Sequence, residues 1–131
     1  VDHVTRLCIN DHSCVNAPTQ FAGLAALTGP QDCVTDMVAQ FDARRQVIVD
    51  ALNDLPGVRC ADAAGAFYAF PNIEGTGLTS KEAQDKFLDE AGVATVAGTS
   101  FGAWGEGYLR FSYANSTENI LEAISRIKKL L

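Results

Sequence analysis

Several kinds of segment are missing from this sequence, and each absence excludes a class of protein. No apolar run approaches the ~20 residues that a membrane span needs, and the first residues lack the basic start and apolar core of a signal peptide. Lys and Arg total 10 against 16 Asp and Glu, and the resulting net charge of −6 argues against binding to nucleic acid or to anionic membranes. We therefore expect a cytoplasmic protein that binds neither nucleic acid nor a membrane.

Patterns for metal binding are lacking too. No two cysteines have the spacing of two to four residues that is typical of a zinc site, and His3 and His12 show no ligand spacing. Four cysteines would allow two disulfides, but a chain of 131 residues can bury a core without cross-links. We predict no metal site and interpret the four cysteines as reduced: Cys8, Cys14, Cys33 and Cys60.

The familiar catalytic patterns are also absent or better explained by structure. There is no Gly-x-Ser-x-Gly motif, and the glycines of "GAWGEG" precede a strand rather than a helix, so a phosphate-binding loop is not expected. Lys81 follows a Ser as in some covalent catalysts, but Thr79 and Glu82 have the spacing of a capping box. The sequence thus predicts Lys81 in the exposed first turn of a helix.

The periodicity of the apolar residues predicts a mixed fold. Helices are expected over 1–14, 18–29, about 31–55, 79–92 and 115–131, and strands over 58–61, 66–70, 93–97 and 108–113. "NST" at 115–117 fits a glycosylation sequon, but we interpret it as the cap of the last helix. The expected fold class is α+β, in which helices pack against a small sheet that is mainly antiparallel or mixed.

One residue stands out from its surroundings. In "GEGYLRFSYA", Leu109, Phe111 and Tyr113 alternate onto one face of the predicted strand, whereas Arg110 lies on the other. A partly buried guanidinium needs an anion, because burying its charge without a partner is costly. An internal carboxylate or a bound ligand would serve, and the composition alone does not favour either. Arg suits a carboxylate ligand because its planar fork donates two parallel hydrogen bonds.

Within the last forty residues, the stretch "GVATVAGTSFGAWGEGYLRFSYANSTENILEAISRI" resembles the C-terminal end of class I and II aminotransferases, the pyridoxal-phosphate enzymes of the aspartate aminotransferase fold. "GAFYAFPNI" is similar to the hairpin of the family's small domain, and "NAPTQFAGLAAL" to the helix that leads into its long interdomain helix. Two departures are Ala97, where a proline is common, and Ala64 before Gly65. The resemblance covers essentially the whole chain, in the family's order.

The resemblance implies roles for individual residues. Arg110 matches the arginine that binds the α-carboxylate of the amino acid or 2-oxo acid substrate, and the glycine-rich connection before it suits a domain that moves on binding. Asn16 lies in "HSCVNAPTQ", which is similar to a segment that approaches the active site. Phe67 resembles an aromatic position near the substrate side chain. These three residues are the predicted substrate-binding residues.

The resemblance also implies a domain division and a set of cofactor-binding residues outside this chain. Residues 1–30 match the last helical stretch of the large cofactor domain, and residues 31–131 match the small C-terminal domain. In the family the Schiff-base lysine and the residues that bind the cofactor lie upstream of this region. We therefore expect a C-terminal part of an enzyme that uses pyridoxal phosphate and forms a homodimer, with no cofactor bound to this part and no transamination by it alone.

A second interpretation stays open: a stand-alone α+β module without catalysis, which binds a small carboxylate or a partner protein. The two interpretations differ in the surface they predict. A separated part of an enzyme should expose apolar residues over 1–30 and along one face of the long helix, because the missing domain covers them. A stand-alone module should have a polar exterior.

Overall fold

Five helices and three short strands make up the fold, and the computed structural model describes all 131 residues. The helices are α1 (Asp2–Asp11), α2 (Ala17–Thr28), α3 (Asp32–Asn53), α4 (Ser80–Ala91) and α5 (Thr117–Lys128). The strands are β1 (Tyr68–Ala69), β2 (Val96–Ala97) and β3 (Leu109–Ser112). Three 3-10 turns, Glu74–Thr76, Gly98–Phe101 and Ala103–Gly105, complete the order of elements. The chain divides into two compact units, Val1–Asp36 and Met37–Leu131.

The first unit consists of helices whose apolar side chains are exposed. Neither α1 nor α2 buries a residue. Their exposed apolar residues include Val4, Leu7 and Ile9 in α1 and Phe21, Leu24 and Leu27 in α2. In α3 the exposed apolar residues are Val34, Met37 and Val38. The exposed apolar surface predicted for a separated part of an enzyme is therefore present.

The sheet of the second unit has β3 at its centre, with β1 on one side and β2 on the other. Both pairings are antiparallel, with Tyr68 opposite Ser112 and Val96 opposite Arg110. Because residues directly opposite each other share a face of the sheet, Tyr68, Val96, Arg110 and Ser112 lie on the same face. The structure confirms the α+β class and makes the sheet fully antiparallel.

The other face of β3 is the centre of the hydrophobic core. Leu109, Phe111 and Tyr113 are buried, as their alternation predicted. Ile48, Leu52 and Leu55 from the C-terminal half of α3 and its end join the same cluster, together with Phe87 of α4 and Ile120, Ile124 and Ile127 of α5. This packing fixes which face of β3 points away from the core.

Two helix starts follow the sequence signals closely. Thr79 Oγ1 accepts a hydrogen bond from the Glu82 N–H, and the Glu82 carboxylate accepts one from the Thr79 N–H, which completes the predicted capping box of α4. Gly92 ends α4 in the left-handed conformation. Ser116 caps α5 by accepting from the Asn119 N–H, so the interpretation of "NST" as a helix cap is confirmed.

The strand predicted over 58–61 is wrong. Only Arg59 pairs there, through an isolated bridge to Asn72. The physical reason is the side chain of Asn53 at the end of α3, whose Oδ1 accepts from the Cys60 N–H at 2.8 Å and whose Nδ2 donates to the Cys60 carbonyl at 3.0 Å. Because the amide satisfies both backbone groups of Cys60, no neighbouring strand is needed to do so.

The strands that do form are shorter than predicted. β1 begins at Tyr68 rather than Ala66, since Ala66 has a φ of 58° and its carbonyl accepts a hydrogen bond from the Tyr113 hydroxyl at 2.9 Å. A left-handed alanine cannot continue a strand. β2 ends at Ala97 as predicted but begins at Val96 rather than Val93, since the Val93 N–H donates to the Phe87 carbonyl at 2.9 Å and so belongs to the end of α4.

The glycine-rich connection between β2 and β3 closes on itself. The backbones at Gly98 and Gly105 lie so close that a Cβ atom on Gly98 would stand 2.1 Å from the Gly105 carbonyl oxygen. The Gly98 N–H also donates to the Tyr108 carbonyl at 2.8 Å. A side chain at either glycine would collide with the backbone of the other.

Two general findings concern the whole chain. No helix is long and apolar enough to cross a membrane. No disulfide joins the four cysteines, of which Cys60 is buried and Cys8, Cys14 and Cys33 are exposed. Burial raises the pKa of the Cys60 thiol, which therefore carries little thiolate at neutral pH.

The glycine contact predicts a large difference between two alanine substitutions. Gly98→Ala should lower the free energy of unfolding by about 1–3 kcal/mol or more, because its methyl group overlaps backbone atoms that have nowhere to move. Gly65→Ala is the matched control, since a Cβ atom there meets nothing within 4 Å. It should be neutral or stabilise by about 0.4–1 kcal/mol. Urea unfolding of the 131-residue chain measures both, and equal stabilities would contradict the close contact.

The capping box predicts a dependence of stability on pH. Hydrogen bonds from the backbone and then the hydroxyl of Thr79 lower the pKa of Glu82 below its usual value. A carboxylate with a lowered pKa in the folded state stabilises the fold above its unfolded pKa of about 4.3, and that contribution is lost as the pH falls through the folded pKa.

Between pH 5 and pH 3, the melting temperature of Glu82→Gln should therefore decrease less than that of the unmodified chain. Glutamine keeps the capping acceptor but does not titrate in this range. Glu90→Gln, near the other end of α4, is the control and should retain the slope of the unmodified chain. Identical slopes for Glu82→Gln and the unmodified chain would show that the capping carboxylate does not contribute.

Candidate functional site

The candidate site is built around Arg110 on the outer face of β3. Leu109 and Phe111 are committed to the core, so the alternation of the strand directs Arg110 away from it. Its side chain is half-buried rather than fully exposed. β3 is the central strand and is hydrogen-bonded on both sides, which gives the residue a well-defined backbone position.

The guanidinium of Arg110 is flanked by aromatic rings instead of carboxylates. Its Cζ atom lies 4.5 Å from the centre of the Tyr68 ring and 5.0 Å from the centre of the Phe101 ring. These distances are within the range of cation–π contacts. No Asp or Glu of the chain forms an ion pair with Arg110 within 4.0 Å. Of the two partners left open by the sequence, the structure does not provide the internal carboxylate.

More rings surround this pair on the same side of the sheet. Phe70 lies 6.1 Å from Phe101 in an edge-to-face arrangement and stacks on Tyr108 at 5.3 Å, with the two planes 9° apart. Phe101 is 56% exposed and Phe70 is 42% exposed. The guanidinium therefore lies against a cluster of aromatic rings that is partly open to solvent.

Phe67 lies beside this surface but not against the guanidinium. Its ring contacts Tyr68 at 4.5 Å between centroids, and Tyr68 in turn contacts Arg110. On its other side Phe67 stacks on Phe41 at 6.0 Å. It lines a cavity of about 580 Å³ together with Phe41 and Tyr113. The structure thus connects Phe67 to Arg110 through one intervening ring.

Asn16 belongs to the first unit, where it caps α2. Its Oδ1 accepts a hydrogen bond from the Thr19 N–H at 3.0 Å. The residue is exposed, and its φ and ψ of −61° and 151° are those of a helix N-cap. The side-chain amide Nδ2 makes no hydrogen bond within the chain, so the capping role leaves its two donors available.

Hydrogen bonds hold the connection before β3 against the start of α4. The fully buried Ser80 donates its hydroxyl to the Gly105 carbonyl and accepts from the Tyr108 N–H at 3.1 Å. The Ser80 N–H donates to the Glu106 carboxylate at 2.9 Å, which places a negative charge at the N-terminus of α4. The base of the connection is therefore fixed, whereas Trp104 at its tip is 99% exposed.

The lysine that the sequence singled out has an ordinary surface role. Lys81 is exposed in the first turn of α4 and forms an ion pair with Asp85. The hydrogen bond from Lys81 lowers the pKa of Asp85. A charged, paired and solvated amine is a poor nucleophile. The prediction that Lys81 lies in the exposed first turn of a helix is confirmed.

Sequence reasoning missed the contacts of Tyr68 and Phe101 with Arg110. The register supplies a signal for Tyr68, because it stands opposite Ser112, two residues from Arg110 on the same face. Phe101 gives no such signal, since it lies in a 3-10 turn whose path depends on the crossing at Gly98 and Gly105. The fold and site together define a small α+β domain that presents Arg110, which has no carboxylate partner, on the outer face of its central strand.

Comparison with known proteins identifies the family. The sequence profile of aminotransferase class I and II matches residues 7–127. The chain is 42% identical over 114 residues to an aspartate aminotransferase of Pyrococcus horikoshii, which covers 86% of this chain and 29% of that protein. It is 44% identical over 117 residues to an aspartate aminotransferase of Streptomyces avermitilis, covering 82% and 28%. This chain belongs to the aminotransferase class I and II family.

The fold agrees with that assignment. A crystal structure of an aromatic aminotransferase from Pyrococcus horikoshii superposes with a TM-score of 0.90 at 38% identity. The superposition covers 96% of this chain and 34% of that one. The chain thus spans about a third of the length of the relatives it matches.

Proposed function

We propose that this chain is the C-terminal part of an aminotransferase that moves an amino group between an amino acid and a 2-oxo acid, and that Arg110 binds the α-carboxylate of both. The observation that carries the proposal is the half-buried guanidinium of Arg110, which has no carboxylate partner in the chain. Membership of the family supports the reaction type.

The chemistry of transamination explains why one arginine suffices for both substrates. The amino group leaves one carbon skeleton and joins another, while the α-carboxylate is the same group in the amino acid and in the 2-oxo acid. A guanidinium that grips this carboxylate through two parallel hydrogen bonds holds either molecule in the same orientation. Arg110 is therefore a binding and orienting residue, and it moves no proton.

Phe67 and Asn16 are proposed to complete the substrate-binding residues. Phe67 is 40% exposed beside the Tyr68 ring, and an apolar ring at this point suits the side chain of the substrate. Asn16 keeps two amide donors free after capping α2, which suits an acceptor on the substrate. Both assignments rest on the resemblance of their segments to the family and on the availability of these groups.

The lysines of this chain do not fit the cofactor-binding lysine of such an enzyme. Lys81 and Lys86 are paired with Asp85 and Glu90 on the surface of α4. Lys128 and Lys129 are exposed at the end of α5. A Schiff-base lysine needs burial or a neighbouring cation to lower its pKa. We therefore propose that pyridoxal phosphate is held by residues outside this chain, and we assign no step on the cofactor to it.

The proposal extends to the organisation of the whole enzyme. Residues 1–30 are assigned to the large cofactor domain, and residues 31–131 to the small domain. Apolar residues are exposed on α1 and α2. Their exposure supports the proposal that the rest of the polypeptide covers these helices in the whole enzyme. We propose a cytoplasmic homodimer, in keeping with four unpaired cysteines.

The mass of the native polypeptide tests whether the chain is part of a larger protein. Immunocapture from the source cell, followed by mass spectrometry, should recover a product about three times as long, since this chain covers 29% and 34% of two relatives. The additional sequence should contain the Schiff-base lysine. A product of 14.0 kDa would contradict the proposal and favour a stand-alone module that binds carboxylates or proteins.

Arg110→Lys in the full-length enzyme tests the role of the guanidinium. Lysine keeps the charge but not the planar fork, so kcat/KM should fall by more than tenfold, or about 1.4 kcal/mol. Steady-state kinetics with the amino acid substrate provides the measurement. Arg126→Lys is the matched control, because Arg126 pairs with Glu122 on the surface of α5, and it should retain normal kinetics. An unchanged kcat/KM for Arg110→Lys would remove the role proposed for Arg110.

A further inference from the structure

We propose that Tyr68 and Phe101 are positioning residues that bracket the Arg110 guanidinium and keep its hydrogen-bonding edge free for the substrate carboxylate. This inference rests on the proposed function of Arg110. It adds two residues, one of them from the glycine-rich connection, to those that determine how tightly a carboxylate is bound.

The first support is the position of the two rings relative to the sheet. Tyr68 belongs to β1, whereas Phe101 ends the 3-10 turn that follows β2. The two rings are therefore supplied by segments that belong to or follow the two strands flanking β3. Their centres lie 4.5 Å and 5.0 Å from the guanidinium carbon. Two contacts from separate segments restrict the side chain more than one contact would.

The second support comes from the way a guanidinium interacts. Its flat faces attract aromatic rings, and its five N–H donors point outward in the plane. A carboxylate partner would occupy those donors and compete with the substrate, but a ring occupies only a face. The absence of an ion pair at Arg110, together with two rings in contact range, is therefore the arrangement expected of a binding arginine that is held in place without being neutralised.

The third support is the way Phe101 itself is held. Phe101 packs edge-to-face on Phe70, which stacks on Tyr108. The backbone N–H of Tyr108 is bound to the buried Ser80 hydroxyl at 3.1 Å. The ring is thus connected to the base of the connection and to α4. A ring supported in this way restricts Arg110 before the substrate arrives, so less side-chain entropy is lost on binding.

The test uses the full-length enzyme and two kinds of ligand, the amino acid substrate and propionate, a monocarboxylate that cannot be transaminated. Phe101→Leu keeps an apolar side chain but removes the ring. We expect propionate to bind about two- to fivefold more weakly in an NMR titration, as is typical of losing one partly exposed cation–π contact. KM for the amino acid should rise by the same factor, with kcat unchanged.

Matched variants separate the effect of the ring from a general effect on the connection. Trp104→Leu removes an aromatic residue from the same connection, but Trp104 has no cation–π contact with Arg110, and propionate affinity should stay at the original value. Phe101→Tyr keeps the ring and should restore the original affinity. Adding Phe101→Leu to Arg110→Lys should cause no further loss, because the planar group that the ring supports is already gone.

Each remaining outcome decides the question. If Phe101→Leu binds propionate with normal affinity while Arg110→Lys binds it weakly, the positioning role of the rings is overturned and the proposed function stays intact. An equal loss in Trp104→Leu also overturns the positioning role. Normal affinity in Arg110→Lys overturns the proposed function and the positioning role with it. If Phe101→Leu lowers the melting temperature of the enzyme markedly, Tyr68→Leu against Tyr68→Phe provides the same comparison, and equal affinities in that pair overturn the positioning role.

Discussion

The alternation of side chains along β3 is the constraint on which both the core and the candidate site depend. Burying Leu109, Phe111 and Tyr113 forces the intervening Arg110 onto the opposite face. A shift of the strand by one residue would exchange the two faces and bury the charge at a cost of several kcal/mol. The arginine therefore contributes to the choice of register, and the hydrophobic core that stabilises the domain also positions the group proposed to bind the substrate.

Local signals predicted the parts of the fold that depend on neighbouring residues. The capping box of α4, the Ser116 cap of α5 and the alternation of β3 each act within four or five positions, and all are present. The predicted strand at 58–61 fails because an amide seven positions away satisfies the backbone of Cys60. A pattern of apolar residues carries no information about such a side chain.

The candidate site likewise has a part that the sequence predicts and a part that only the three-dimensional structure shows. Arg110 was recognisable as an exception on an apolar strand and from the family resemblance, and its lack of a carboxylate partner became evident only in three dimensions. The contact with Phe101 depends on a backbone crossing between two glycines seven positions apart. Contacts between segments that meet only in the tertiary fold leave no pattern in the sequence, so the contact between Phe101 and the arginine could not be predicted from it.

The exposure of Trp104 has a consequence for spectroscopy. It is the only tryptophan of the chain, and its ring is 99% exposed at the tip of the connection. Indole fluorescence from this chain therefore reports on the solvent around a single surface position rather than on the hydrophobic core. The fold supplies an intrinsic optical probe a few residues from the arginine surface, sensitive to whatever approaches that tip.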